Sequence, residues 1–136
     1  MSELQPIKFE IDLSRGLRRA TFSGVITESI LLQTYNQLLS DQGYDPTLND
    51  LVDMRDIERL EISAEGVRKL VSIFSNPGMV AANRLAIVAP MSHVFGLSRM
   101  YEIMSSETSE QIEVFRDLKE AEEWLGIETA DGSEFT

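Results

Sequence analysis

The residues of this chain best placed to do chemistry fall in two groups. Asp53, Arg55 and Asp56 follow one apolar segment, with Ser63 shortly after, and Ser92, His93 and Arg99 follow another. Carboxylates beside arginines can pair with each other or present a guanidinium to an anion, because the planar fork of Arg matches a carboxylate or phosphate with two parallel hydrogen bonds. His93 is the one histidine. A metal site would need further His or carboxylate ligands converging on it, and a Ser-His-acid arrangement would need an acid to orient the imidazole. Ser92 and Ser98 are close in sequence, but no spacing singles out a base. The chain has no cysteine, which excludes thiolate metal sites and Cys nucleophiles. General acid–base chemistry needs paired groups of shifted pKa, and no such pair is visible. The expectation is therefore a protein without catalytic activity, cofactor or metal, in which these seven residues line one rim that meets a partner or ligand.

Each of them also has a plainer role. Ser63 can cap a helix, worth about 1 kcal/mol, or carry a phosphate stabilised by the free N–H groups at that helix start. The neighbouring Glu61 and Glu65 oppose the added charge. His93 suits the exposed first turn of a helix. Arg99 can pair with Asp53 or Asp56, or project toward an anionic ligand or partner.

The elements that would position these residues follow from apolar periodicity. Ile7, Phe9, Ile11 and Leu13 alternate with Lys8, Glu10 and Asp12, the pattern of a strand buried on one face. Ser14, Arg15 and Gly16 then turn the chain into a second strand from Leu17 to Ser23, ended by Gly24, so the first unit reads as a hairpin. Thr27 caps a helix running to about Asp41, closed by Gly43 and Pro46. Asn49 to Met54 reads as a strand, with Asp53 to Arg59 a polar connection. Ser63 opens a helix whose stripe is Val67, Leu70, Val71 and Phe74. Leu85 to Ala89 is apolar without alternation, the mark of a central strand covered on both faces. Ser92 caps the next helix, Ile112 and Val114 mark a last strand, and Asp117 with Glu120 forms a capping box for a closing helix anchored by Ala121, Trp124 and Leu125.

The order β-β-α-β-α-β-α-β-α predicts an α/β fold with a mixed five-stranded sheet, the N-terminal hairpin strand antiparallel and the remainder parallel. Right-handed crossovers between adjacent strands would gather the helices on one face. Because Leu85 to Ala89 is apolar on both faces, the hairpin, a helix or a second subunit must cover the other, so a homodimer is one expectation. Met79, Met91, Met100 and Met104 suggest an adaptable apolar pocket, and the apolar loop Asn76 to Asn83 suggests a contact or lid.

The chain of 136 residues is the size of one domain, expected over residues 1–126, followed by an acidic, flexible tail at 127–136. Its net charge of −11 is uneven: residues 1–101 carry 10 basic and 12 acidic groups, and residues 102–136 carry 2 and 11. Nucleic acid and anionic lipid need clustered Lys and Arg, so neither is an expected partner. Arg15, Arg18 and Arg19 form the one local basic group. No apolar run approaches the ~18 residues of a membrane span, and no leader is evident at the N-terminus. A cytoplasmic location is expected.

The closing pattern, RLAIVAP with FGLSRMYEIM and EVFRDLKEAEEWLG, resembles the small bacterial SpoIIAA-like proteins, relatives of the STAS domains of anti-sigma factor antagonists, over roughly residues 5–126. The element order also agrees with the related lipid-binding CRAL-TRIO fold. The resemblance implies strands adjacent in chain order and a regulatory protein-interaction module, with binding of a small apolar ligand as the alternative. In the antagonists a serine within a D-S-S-G-type turn is phosphorylated. Here that turn is Glu61, Ile62, Ser63 and Ala64, and only Ser63 matches.

Overall fold

The computed structural model describes residues 5–74, 83–106 and 111–127. Strand β1 (Ile7–Asp12) runs through a single 3₁₀ turn (Leu13–Arg15) into β2 (Leu17–Thr27). Asp12 caps that turn, accepting the backbone N–H groups of Ser14 and Arg15, and Gly16 leaves it with a φ of 61°. The expected burial of β1 holds for only half its length. Ile7 is buried, but Ile11 and Leu13 are 53% and 76% exposed, because an edge strand has a neighbour on one side only and Ile11 lies beside the charged Arg18.

Strand β2 does not stop at Gly24 but continues to Thr27, whose side chain caps α1 (Glu28–Ser40) by accepting the Ile30 N–H. Its partner β3 (Asn49–Glu61) is correspondingly long. The residues expected to form a polar connection, Asp53 to Arg59, are strand. The parallel register explains why: Thr21 pairs with Asp53 and Ser23 with Asp56, then Gly24 with Ile57 and Val25 with Arg59. Each step places one extra residue on β3, a β-bulge that breaks strict alternation. Met54, Ile57 and Leu60 consequently recur every third residue on the buried side, a spacing that hides a strand from any search for period two.

Next come α2 (Ala64–Phe74), β4 (Arg84–Val88), α3 (Ser92–Met104), β5 (Gln111–Phe115) and α4 (Leu118–Leu125). The sheet order is β1-β2-β3-β4-β5, antiparallel at β1/β2 and parallel elsewhere. This is the expected mixed sheet. No helix of the described residues is long and apolar enough to cross a membrane.

Side-chain alternation divides the core into two layers. Leu85, Ile87 and Ala89 join Ala20, Phe22, Val52 and Met54 under Leu31 of α1, Val67 of α2, and Val94 and Tyr101 of α3. Ala86 and Val88 join Leu17 and Leu51 under Ala121 and Leu125 of α4. Helices α1 to α3 connect successive parallel strands and share a face, as crossovers of one hand must. Helix α4 returns to no strand, so it is free to fold back across β3, β4 and β5 on the other side. That helix, and not a second subunit, covers the doubly apolar strand. The tail expected from residue 127 begins with Ile127, which still packs against this second layer. The rest of the tail and nearly all of the Asn76 to Asn83 loop lie outside the described residues.

Candidate functional site: an apolar cavity with a charged pole

Between the sheet and helices α1 to α3 lies a cavity of about 100 Å³, walled by Phe22, Leu31, Leu60, Val67, Leu85 and Ile87 among others. It is of the same order as the ~150 Å³ apolar cavities that admit an aromatic ring. Its walls come from β2, β3, β4 and α1 to α3, because the inward residues of these strands face the stripes of the three crossover helices. Tyr35 of α1 braces one side, edge-on to Phe9 at 5.7 Å and to Phe74 at 5.5 Å.

One end of the cavity is charged. Arg18 sits two residues before Ala20 on the same face of β2, and the β2/β3 register sets it beside Asp50. Arg18 is only 2% exposed. Its Nε donates to Asp50 Oδ1 at 2.7 Å and its Nη2 to Asp50 Oδ2 at 3.1 Å, a bidentate pair, while Nη1 donates to the Asp45 carbonyl at 2.9 Å. The Tyr44 ring lies 4.5 Å from the guanidinium carbon, near enough for a cation–π contact. Burial works against the Arg18 charge, but Asp50 outweighs it and raises the Arg18 pKa. For Asp50 the balance is reversed: burial pushes its carboxyl up, and Arg18 offsets only part of that. Burial likewise holds the Tyr35 hydroxyl protonated, well above its ordinary value of 10. Among the described residues, Arg18 and Asp50 are the only charged ones in the lining.

The opposite face of β3 carries a second charged cluster. Asp53 is 3% exposed. It accepts Arg19 Nη2 at 2.6 Å and Arg55 Nε and Nη2 at 2.9 Å each, and its Oδ1 also takes the Arg55 backbone N–H at 3.1 Å. Burial pushes the Asp53 carboxyl up, but the hydrogen bonds from Arg55 and Arg19 outweigh it and hold it below the usual 3.8. The same hydrogen bonds to Asp53 raise the Arg55 pKa, and the buried Glu122 of α4 adds to the field that does so. Asp53 thereby ties β2, through Arg19, to β3.

Of the seven residues proposed from sequence, Asp53 and Arg55 are the pair that the fold joins by hydrogen bonds. Asp56 is exposed beside them. Ser92 and His93 are exposed at the start of α3, and Ser92 is not its cap. Met91 takes that position with no side-chain cap bond, its carbonyl already accepting the Phe95 N–H at 2.8 Å. Arg99 pairs with neither Asp53 nor Asp56 but with Glu102, one helical turn on, at 2.6 Å, because both lie on the outer face of α3. Ser63 is the cap of α2: its Oγ accepts the Gly66 N–H at 3.0 Å and donates to Glu28 Oε1 at 3.0 Å, tying α1 to α2. A Cβ at position 66 would lie 2.3 Å from that carboxylate oxygen, so the link requires glycine.

Of the methionines expected to line a pocket, the three among the described residues do not do so. Met91 is 44% exposed, Met100 and Met104 pack on the core outside the cavity, and Met79 lies outside the described residues. Met54 is the methionine of the lining. Reasoning from sequence also passed over Arg18 and Asp50. A signal was present, since Arg18 shares the strand face of Ala20 and Phe22, where a charge must find a buried partner.

No protein-family model matches the chain, and no curated protein matches it. Among solved structures it is similar to an uncharacterized protein of the DUF3478 family with a SpoIIAA-like fold from Shewanella loihica PV-4, at 21% identity and a TM-score of 0.58, over 92% of this chain and 98% of that one. The mixed five-stranded sheet and four helices match that neighbour, and the chain has a SpoIIAA-like fold.

Proposed function

We propose that this protein is a cytoplasmic, non-catalytic binding module that takes a small, largely apolar molecule into the cavity between its sheet and helices α1 to α3. The observation that carries this reading is the cavity itself. Close-packed interiors leave few voids larger than a water molecule, and here about 100 Å³ stands open against an apolar wall. Native mass spectrometry of the protein purified from bacteria tests it. A bound small molecule is expected on the wild type and is lost in Ser98→Leu, which carries an isobutyl group into the lining at a position only 5% exposed. Bare wild-type protein that also takes up no added apolar ligand would refute the reading.

A second reading, regulation through protein contact, is favoured by exposed apolar side chains on the sheet edge. Ile11 and Leu13 project at the end of β1, whose outer side is unpaired among the described residues. Pull-down with Ile11→Ser/Leu13→Ser as control tests this surface, and light scattering tests a homodimer. Phosphosite mapping tests Ser63, where added phosphate would face the Glu28 carboxylate.

A further inference from the structure

We infer that the cavity selects an uncharged ligand, a short hydrocarbon body bearing a hydroxyl or carbonyl oxygen, against both carboxylates and amines. The inference rests on the binding reading above and concerns which chemistry the site accepts. Its basis is the charge accounting at the polar pole. Among the described residues, Arg18 and Asp50 are the only charged groups of the lining, and they neutralise each other through two hydrogen bonds of 2.7 and 3.1 Å. Of the five N–H donors of a guanidinium, Arg18 commits two to Asp50, one to the Asp45 carbonyl and one to the Tyr44 hydroxyl at 3.4 Å. No cation is left over to receive an entering carboxylate, which would share a low-dielectric enclosure with Asp50. An ammonium meets the converse problem, since Asp50 is already held by Arg18. Burying either ion without an uncommitted counter-charge is costly, whereas a neutral oxygen needs one hydrogen bond. The remaining polar groups of the wall are the hydroxyls of Tyr35, Tyr44, Tyr101 and Ser98. Ser98 already donates to the Val94 carbonyl at 2.8 Å, and Tyr44 already accepts Arg18 Nη2, so the Tyr35 phenol is the natural partner of such an oxygen.

The test uses the full chain, methyl-labelled, titrated at pH 7.5 with 1-hexanol, hexanoate and hexylammonium, which share one hydrocarbon body. Resonances of Leu31, Val67, Leu85 and Ile87 report binding in the cavity. 1-Hexanol is expected to bind at least about tenfold more tightly than either ion. Asp50→Asn leaves the Arg18 charge uncompensated, so hexanoate affinity should rise about tenfold or more in that variant while hexylammonium gains nothing. Hexanoate or hexylammonium binding the wild type as tightly as 1-hexanol would overturn the selectivity and leave the binding reading intact. Failure of Asp50→Asn to favour hexanoate would also overturn it. Absence of shifts with all three ligands would remove both. Should Asp50→Asn not fold, the ranking on wild-type protein decides alone.

Discussion

Replacing Asp53 with Asn asks whether the charged cluster on the α4 side of the sheet holds β2 to β3. The asparagine keeps one acceptor oxygen and turns the other into an amide that faces donors, so the bonds from Arg19 Nη2 at 2.6 Å and Arg55 Nη2 at 2.9 Å are lost. Charge-assisted bonds contribute about 1.5–3 kcal/mol each. The freed arginines are 19% and 46% exposed at their side chains and recover part of that from water, for a net loss of about 2–3 kcal/mol at pH 7. At roughly 2.1 cal/mol/K of unfolding entropy per residue over 136 residues, this lowers Tm by about 7–10 °C. The dependence on pH is the sharper test. The Asp53 pKa is lower folded than unfolded, so its contribution is complete above the unfolded value near 3.8 and fades as pH falls through the lower folded one. Asn does not titrate. The gap between wild type and variant should stay constant from about pH 7 to pH 5 and narrow below that. Urea unfolding followed by Trp124 fluorescence at stepped pH measures it. A gap under about 0.5 kcal/mol at pH 7, the range of an ordinary surface change, would refute the reasoning, as would a gap that holds or widens below pH 5.

Leu125→Ala should cost about 2–4 kcal/mol in urea unfolding, because Leu125 is 6% exposed against the second core layer. It should leave ligand shifts in the cavity unchanged, since α4 lies across the sheet from it. Ser63→Ala removes the α2 cap and the donor to Glu28 and should lower stability by about 1 kcal/mol, with faster amide exchange confined to the start of α2. Gly24 has a φ of 70° with open space where a Cβ would stand, so Gly24→Ala is strained by backbone conformation alone. It should cost about 1–2 kcal/mol, measured as a Tm shift without a change in circular dichroism.

Local signals in the sequence determined much of this protein. Thr27 and Asp117 act as the caps their types predict, since a cap is decided by residues three positions apart. The unbroken apolar run from Leu85 marked a strand covered on both faces, since such burial leaves no polar residue to interrupt it, although it lies fourth of five and β3 is the central strand. The mixed sheet and its order followed from the succession of such elements and the family resemblance. Bulges in β3 depend on how a neighbouring strand pairs, so the length of that strand was hidden. The basic group Arg15, Arg18 and Arg19 looked like one patch, yet the fold assigns each arginine a different aspartate, Asp12, Asp50 and Asp53. Alternation sends Arg18 and Arg19 to opposite faces of the sheet, and their partners lie more than thirty residues away. The placement of α4 and the charge-balanced cavity were likewise decided only in three dimensions, because each depends on which side of the sheet a segment covers and which distant side chain it then meets.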